Sequence, residues 1–167
     1  LVIDAESKWG PVRTQAAAQL QREGRPIPEH YRWNWLRKSS LLGPLAIKCF
    51  GIAAEGRVQG MMMVDTASKH ATLPPDSGKP LVYIEYLESA PWNVRALVPS
   101  PRFGAVGTRL IEAAVRYSKE QGFNGRISLH SLPQSESFYR DKLEFTKVGP
   151  DPNYEDLTYY ELKAQQA

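Results

Sequence analysis

The chain has 167 residues, 42% of them hydrophobic and 23% charged, a composition that is ordinary for a globular protein and argues against disorder along its whole length. Its formal net charge of +3, without a run of five like charges, suits an anionic ligand but does not indicate a nucleic-acid-binding protein. There is no apolar run of about 18 residues and no signal-peptide pattern, so we expect one domain, 1–167, in a soluble, cytoplasmic protein.

Two short helices are expected at the N-terminal end. Residues 11–23 are rich in Ala, Gln and Leu, Pro11 suits a first helical turn, and Gly24 is a typical helix stop. A second helix is expected at about 28–38, where apolar residues recur at roughly helical spacing.

A β-hairpin follows these helices. Residues 45–54 and 58–67 have the pattern of two strands, and the tight turn at 55–57 joins them. The single cysteine, Cys49, has neither a disulfide partner nor the spacing of a metal site. We interpret it as a buried strand thiol in a reducing compartment, with a reactive thiol as the alternative, and we predict no metal site.

The remaining elements predict an α+β fold. A strand at 81–89, a helix that ends at Gly122 and a strand at 125–132 indicate a parallel pair joined by a right-handed crossover. A short helix at 133–145 and two last strands, in FTKVG and LTYYELK, complete the chain. The expected architecture is therefore a mixed, mostly antiparallel central sheet that contains one parallel strand pair and is flanked by helices.

The segment PRFGAVGTRLIEAAVRYSKEQG, from Pro101 to Gly122, places small residues directly before a helix. The first amides of a helix lack intrahelical acceptors and lie at the positive end of its dipole, so they can bind an anion. Gly104, Ala105 and Gly107 are small enough to let a ligand approach the main chain. The segment lacks both the Gly-Lys-Ser/Thr of a P-loop and the third glycine of a dinucleotide fingerprint. These residues alone predict either a structural turn or an anion-binding loop.

Two motifs in a fixed order carry a family resemblance. The loop RFGAVG fits an Arg/Gln-x-x-Gly/Ala-x-Gly/Ala pattern after the strand of VYIEYLESAPWN, and SFYRDKLEF follows one strand later. With these motifs and with the order of its elements over residues 10–163, the sequence resembles the GNAT superfamily of N-acetyltransferases. It departs from the family pattern where Ala105 replaces the usual middle glycine and where Glu144 replaces the glycine before the last Phe. The connection before the loop is also longer than usual.

The resemblance implies the GNAT fold, in which the parallel strand pair splays, and acetyl-coenzyme A as the cosubstrate. The pyrophosphate of the coenzyme is expected to meet the loop and the first helical amides, and its pantetheine is expected to pair with the end of the third strand. The residues implied are Leu87, Glu88, Ser89, Arg102, Phe103, Gly104, Ala105, Val106, Gly107 and Thr108.

Two catalytic residues are implied by the same resemblance. Tyr139 matches the family's tyrosine, whose hydroxyl donates to the coenzyme sulfur, while Phe138 beside it is interpreted as packing. Glu85 is the preferred base for the acceptor amine. Glu88 lies three residues later, hence on the opposite face of a regular strand. Glu88, His130 on the neighbouring strand and a water-relayed proton remain open as alternatives.

Other residues near these motifs have two interpretations each. Aromatic and methionine side chains of the second helix and the hairpin either line an acceptor pocket, as the resemblance allows, or form the core, which is commoner at such spacings: Tyr31, Trp33, Trp35 and Met61–Met63. Arg140 and Lys142 either help to hold the 3′-phosphate of the coenzyme or are solvated helix charges.

The leading hypothesis is an acetyl-coenzyme A-dependent N-acetyltransferase in which an amine attacks the thioester directly in a ternary complex. The alternative is a catalytically silent acyl-coenzyme A sensor or regulatory module, for which the departures at Ala105 and Glu144 leave room. Retention of Tyr139 and Glu85 favours catalysis. The acceptor remains open among a small amine, a peptide N-terminus, a lysine and an aminoacyl-tRNA, as does a homodimer; a membrane partner is not expected.

Overall fold

The computed structural model describes residues 1–95, 97–98 and 100–164. Two residues of the long connection before the loop, and the last three of the predicted domain 1–167, therefore lie outside the described residues. The helices are α1 (Val2–Arg22), α2 (Trp35–Ser39) and α3 (Val106–Glu120). The strands are β1 (Ile47–Ala54), β2 (Arg57–Asp65), β3 (Val82–Ser89), β4 (Ile127–Ser131), β5 (Thr146–Asp151) and β6 (Leu157–Leu162).

Helix α1 begins nine residues before the predicted start, so the position of Pro11 was predicted wrongly: it lies inside the helix. Ala5, Trp9, Arg13 and Leu20 recur at helical spacing and are all buried. The burial of this stripe outweighs the helical hydrogen bond that a proline removes.

The second predicted helix is divided into two pieces. Residues Glu29–Arg32 form a single 3₁₀ turn, and α2 starts only after Asn34, which is extended at φ −130°. The Asn34 side-chain oxygen accepts a hydrogen bond from the Arg37 amide at 3.0 Å. Asn34 therefore acts as an N-cap, and the chain starts a new helix there instead of continuing the old one.

The predicted hairpin is confirmed. Strands β1 and β2 are neighbours in the sheet and are joined by Glu55 and Gly56, whose φ angles are +51° and +69°. Two successive residues with positive φ form the type I′ turn whose twist matches that of the flanking strands.

The predicted mixed sheet with one splayed parallel pair is confirmed as well. Its order is β1-β2-β3-β4-β6-β5, and β6 is antiparallel to both β4 and β5. The parallel ladder between β3 and β4 pairs Val82–Ile84 with Ile127–Leu129. Strand β3 continues to Ser89, so five of its residues extend beyond that ladder.

The described chain groups into two compact units. The first unit comprises Leu1–Leu45, Cys49–Met62 and Leu87–Leu110, and the second comprises Ala46–Lys48, Met63–Tyr86 and Ile111–Ala167. In the second unit Ala71, Leu81, Tyr83 and Tyr159 form a buried cluster. Among the described residues, no helix combines the length and the apolar character that crossing a membrane requires.

Candidate active site

The loop before α3 turns at Ala105, whose φ of +58° lies in the left-handed region. Helix α3 starts at the next residue, and the Arg109 amide donates the first helical hydrogen bond, to the Ala105 carbonyl at 3.0 Å. The amides of Val106, Gly107 and Thr108 precede that bond and have no acceptor within the helix. Gly104 is exposed, and a Cβ added to it would meet no heavy atom within 4 Å. The loop thus leaves room beside a helix start that carries partial positive charge.

A buried hydroxyl in the same helical turn lacks a partner. Thr108 Oγ1 is inaccessible to solvent and has no hydrogen-bond partner in the part of the chain that the structure describes. A buried polar atom without a partner costs free energy. The open loop and the helix amides fit an anionic group such as a pyrophosphate, whereas this hydroxyl is closed to solvent in the structure.

A network centred on Gln59 of β2 organises the long connection before the loop. Its side-chain oxygen accepts hydrogen bonds from Trp92 Nε1 at 2.8 Å and from Asn93 Nδ2 at 3.0 Å. The Asn93 side-chain oxygen in turn accepts a hydrogen bond from the Phe103 amide at 3.0 Å. Gln59 is only 2% exposed, so these bonds are shielded from water. The network ties the start of the loop to the hairpin.

Two groups of the loop already have partners within the first unit. The Phe103 amide is engaged by Asn93, so this amide is not available to a ligand while that bond persists. The Arg102 guanidinium forms an exposed ion pair with Glu55 in the hairpin turn. Arg102 therefore keeps its charge near the loop, although a carboxylate already faces it.

Close packing on Gly60 fixes the first turn of α3 against β2. A Cβ added at Gly60 would lie 2.5 Å from Val106 Cγ1 and 3.1 Å from Leu110 Cδ1. Real Cβ atoms do not approach other carbons that closely, so only glycine allows the helix to sit here. The position of the helix start thus depends on this one residue in β2.

At the end of β3, a buried ionic cluster holds the side chain of Glu88. Arg13 Nη1 donates to both carboxylate oxygens of Glu88, at 3.0 and 2.9 Å, and Trp35 Nε1 donates to Glu88 Oε2 at 2.6 Å. Arg13 Nη2 also binds both oxygens of Glu6, at 2.6 and 2.7 Å. Arg13 is 2% exposed and Glu88 is 5% exposed. The Glu88 carboxylate therefore braces the strand end against α1.

Opposing effects act on the pKa of Glu88 in this cluster. Burial raises the pKa of Glu88 to about 7, although Arg13 and the hydrogen bond from Trp35 act to lower that pKa. One guanidinium faces two carboxylates, so the cluster is one positive charge short when both acids are ionised. A carboxyl group that accepts three hydrogen bonds from two donor atoms and is almost unexposed is poorly placed to accept a proton from a substrate.

The two residues expected to be catalytic belong to the second unit, whereas Leu87–Ser89 and Arg102–Thr108 belong to the first. Tyr139 lies in a π-helical turn, Phe138–Lys142, so the predicted regular short helix is replaced by a wider turn. Its ring contacts Phe138 and Phe145, with centroids 5.1 and 5.7 Å away, and burial raises the pKa of its hydroxyl. Glu85 is half-buried on β3.

His130 has a partner on each ring nitrogen. Nδ1 lies 2.9 Å from Tyr83 Oη, Nε2 lies 3.1 Å from Asp151 Oδ2, and the ring stacks on Tyr154 at a centroid distance of 3.9 Å. A neutral ring that accepts from Tyr83 and donates to Asp151 satisfies all these groups. Burial lowers the pKa of His130 and favours this neutral form. His130 is thus held as a structural link in the sheet.

The aromatic and methionine residues mostly form the core. Trp35 and Met61–Met63 are at most 1% exposed, Tyr31 is buried, and Trp33 is half-buried.

Arg140 is exposed and pairs with Asp141 beside it at 2.6 Å. Cys49 is half-buried in β1, and burial raises the pKa of its thiol, as expected for an unreactive strand cysteine.

Sequence reasoning did not identify the parts played by Arg13 and Gln59. Arg13 lies in a helix that looked polar, and its partner Glu88 is 75 residues away. One signal was available: Trp9 and Arg13 are four residues apart, so a helix that started earlier would have put both on one buried face. For Gln59, the polar residue in an apolar strand was the only sign.

Comparison with protein families and with curated protein sequences gives no match. Solved structures do match. An acetyltransferase from Thermus thermophilus superposes with a TM-score of 0.56 over 96% of this chain and 91% of that chain, at 14% identity. FeeM, an N-acyl amino acid synthase from uncultured soil microbes, gives a TM-score of 0.55 over 93% and 85%, at 17% identity. This chain has the GNAT fold.

A third GNAT-fold neighbour was solved with a ligand. This Bacillus anthracis protein, assigned as a streptothricin acetyltransferase, is in complex with acetyl coenzyme A and has a TM-score of 0.50 at 17% identity. The similarity covers 72% of this chain and 64% of that one. At identities this low, the structural similarity establishes the fold, but it does not establish the activity.

Proposed function

We propose that residues 1–167 act as one domain that transfers an acetyl group from acetyl-coenzyme A to an amine of an acceptor. The observation that carries this proposal is the anion cradle: an open loop at Gly104, a left-handed turn at Ala105 and the first-turn amides of α3. The GNAT fold and its acetyltransferase neighbours support the same conclusion.

The residues of the first unit would bind the coenzyme. The amides from Gly104 to Thr108 would donate to the pyrophosphate, and Arg102 would add a charge-assisted contact after it leaves Glu55. The main chain of Leu87–Ser89 would pair with the pantetheine, as the family resemblance implies. Arg13 would act indirectly here, because it braces this strand end through Glu88.

The residues of the second unit would move the protons. Acetyl-coenzyme A supplies the acetyl group as a thioester, and transfer requires a new carbon–nitrogen bond as the carbon–sulfur bond breaks. Glu85 would accept the proton that the attacking amine loses. Tyr139 would donate a proton to the departing sulfur, because its phenol is protonated at neutral pH, although burial raises its pKa and makes it a weaker acid.

Coenzyme binding is tested by Gly104→Ala. A Cβ at Gly104 meets no protein atom, so the free energy of unfolding should change by less than about 1 kcal/mol. The same Cβ would occupy the space beside the amides, so the dissociation constant for acetyl-coenzyme A, measured by calorimetry, should rise about tenfold or more. Gly43→Ala, in an equally open exposed loop, is the matched control and should leave that constant unchanged. Equal affinity for Gly104→Ala and wild type would exclude the cradle as the binding site.

The proton donor is tested by Tyr139→Phe. The change keeps the ring and its packing but removes the donor, so kcat for acetyl transfer to a panel of amines should fall about 10²-fold or more while the dissociation constant for acetyl-coenzyme A is kept. Tyr154→Phe removes a hydroxyl elsewhere in the second unit and should retain wild-type kcat. Tight coenzyme binding by the wild type without transfer to any amine would instead identify a sensor.

A further inference from the structure

Exposed leucines are concentrated in one short segment of the first unit. Leu36 in α2 and Leu41, Leu42 and Leu45 in the following loop are 46%, 45%, 38% and 89% exposed. Among the described residues, these are four of the eight large hydrophobic side chains that are exposed, and they fall within ten positions. Scattered exposed leucines need no explanation, but a cluster of this kind indicates a surface that something apolar covers.

The same part of the sequence carries a one-sided charge. Residues 30–54 contain four basic residues, Arg32, Arg37, Lys38 and Lys48, and no Asp or Glu. The rest of the chain holds the other 17 of 21 basic residues and all 18 acidic ones, so its formal charge is −1. The stretch of sequence that contains the exposed leucines therefore has a formal charge of +4, which favours an occupant that is both anionic and apolar.

The shape of the segment favours a lipid surface over a protein partner. All six residues from Ser40 to Leu45 are exposed, so the loop presents its leucines to solvent rather than packing them into a groove. A bilayer interface accepts such exposed apolar side chains without a matching pocket, which a protein partner would have to supply. The Lys38 ammonium lies 4.6 Å from the centre of the half-buried Trp33 ring, and both residue types are common at the level of lipid headgroups.

We propose that this protein docks reversibly on anionic membrane surfaces through the loop Ser40–Leu45. In this arrangement the leucines enter the interface, while Arg32, Arg37 and Lys38 contact the acidic headgroups. Apolar insertion and electrostatic attraction act together, because neither a few leucines nor three cations give stable binding alone. Membrane docking goes beyond acetyl transfer and does not depend on it.

Vesicle sedimentation tests the proposal with the full chain. Wild type should bind vesicles of phosphatidylcholine with about 30% phosphatidylserine and should bind pure phosphatidylcholine vesicles about tenfold more weakly or not at all. Raising the salt from about 0.1 to about 0.5 M should release it, since the Debye length shortens. Failure to bind the anionic vesicles at the lower salt would overturn the proposal, as would equal binding to both compositions.

Two variants separate the apolar and the electrostatic parts. One variant combines Leu41→Ser, Leu42→Ser and Leu45→Ser, and the other combines Arg37→Gln and Lys38→Gln. Each variant should bind the anionic vesicles about tenfold or more weakly than wild type. Val148→Ser and Lys119→Gln, which change an exposed apolar and an exposed cationic residue elsewhere, should bind like wild type. Unchanged binding by either loop variant would contradict the proposal.

Two further measurements separate lipid docking from misfolding and from self-association. The loop variants should keep the thermal transition and the acetyl-coenzyme A affinity of wild type, because all the substituted residues lie apart from the cradle residues in the chain and, except for the half-buried Lys38, are exposed. The sedimentation velocity of wild type and the leucine variant should also agree. A wild-type dimer that the leucine substitutions dissociate would show that a second copy covers the loop, and the membrane proposal would then be wrong.

Discussion

Two residues of the loop and helix motifs adopt the left-handed backbone region although they are not glycine. Ala105 has a φ of +58° and Glu144 has a φ of +57°, and these are the two positions at which the sequence departs from the motifs that it resembles. For a residue with a Cβ the left-handed region costs roughly 1 kcal/mol or more, whereas glycine adopts it freely.

Replacing Ala105 with glycine should therefore stabilise the protein. The free energy gained by removing the strain exceeds the cost of the larger conformational entropy that glycine gives the unfolded chain. Ala105→Gly should therefore raise the free energy of urea unfolding by about 0.5–1 kcal/mol. Ala113→Gly, inside helix α3, is the matched control and should lower it by about 1 kcal/mol, because glycine is a poor helix former. A loss of stability in both variants would contradict the strain argument.

At the scale of elements, β2 determines where the loop and helix α3 begin. Gly60 admits the first turn of the helix, and the adjacent Gln59 binds Trp92 and Asn93 of the long connection. Two neighbouring residues of one strand therefore support the helix start and the loop: Gly60 by its lack of a side chain and Gln59 by its hydrogen bonds.

Gln59→Leu should loosen the connection without removing the strand. The substitution leaves Trp92 Nε1 without its acceptor and leaves Asn93 Nδ2 with only the main-chain carbonyl of residue 59, so the free energy of unfolding should fall by about 1–3 kcal/mol. Amide hydrogen exchange in residues 91–103 should accelerate more than in β4 and β6, and the affinity for acetyl-coenzyme A should fall with it. Gln19→Leu, on the exposed side of α1, is the control and should change neither quantity. Uniform acceleration over the whole chain would argue against a local role.

The elements that sequence reasoning predicted are those with strong local signals. The hairpin rests on a Glu55–Gly56 turn between two apolar runs, and the parallel pair rests on the strand–helix–strand order. The start of α1 was missed because Pro11 is a local signal that distant burial overrides. The π-helical turn at Tyr139 was missed since no local pattern separates it from one turn of α-helix.

For the whole molecule, the buried cluster of Glu88 and Arg13 couples stability to pH. The Glu88 pKa rises from an ordinary 4.5 to about 7 on folding, so between these values the folded state holds a proton that the unfolded state has lost. The contribution of Glu88 to the free energy of unfolding is therefore greatest at and below pH 4.5. It decreases by about 3 kcal/mol in total as the pH rises to 7.

Glu88→Gln should remove this slope. Relative to the variant, wild type should lose about 3 kcal/mol of unfolding free energy between about pH 4.5 and about pH 7.5, measured by urea unfolding at a series of pH values. Glu120→Gln changes an exposed residue at the end of α3, and its curve of unfolding free energy against pH should run parallel to that of wild type. Parallel curves for Glu88→Gln and wild type would show that Glu88 ionises in the fold as it does in the unfolded chain.

The fold was more predictable than the site. Order and spacing of the elements specify the GNAT sheet, but Phe103 and Arg102 acquire their partners Asn93 and Glu55 only when the chain folds. The same holds for the Thr108 hydroxyl, whose lack of a partner cannot be read from residue type. The motifs therefore predict which residues lie near a ligand, whereas tertiary contacts determine which of their hydrogen-bonding groups remain available to it.

If Arg102 binds a phosphate of the coenzyme, as proposed, it exchanges its ion pair with Glu55 for one with the phosphate. A phosphate that engages Arg102 must displace a carboxylate, so the count of paired charges stays constant and little electrostatic energy is gained. Added salt weakens both pairs alike, and the affinity for the coenzyme should depend on ionic strength less steeply than the charge of the ligand suggests. In that case the Glu55 carboxylate competes with the phosphate for Arg102, and the loop would favour anions that the helix amides also bind.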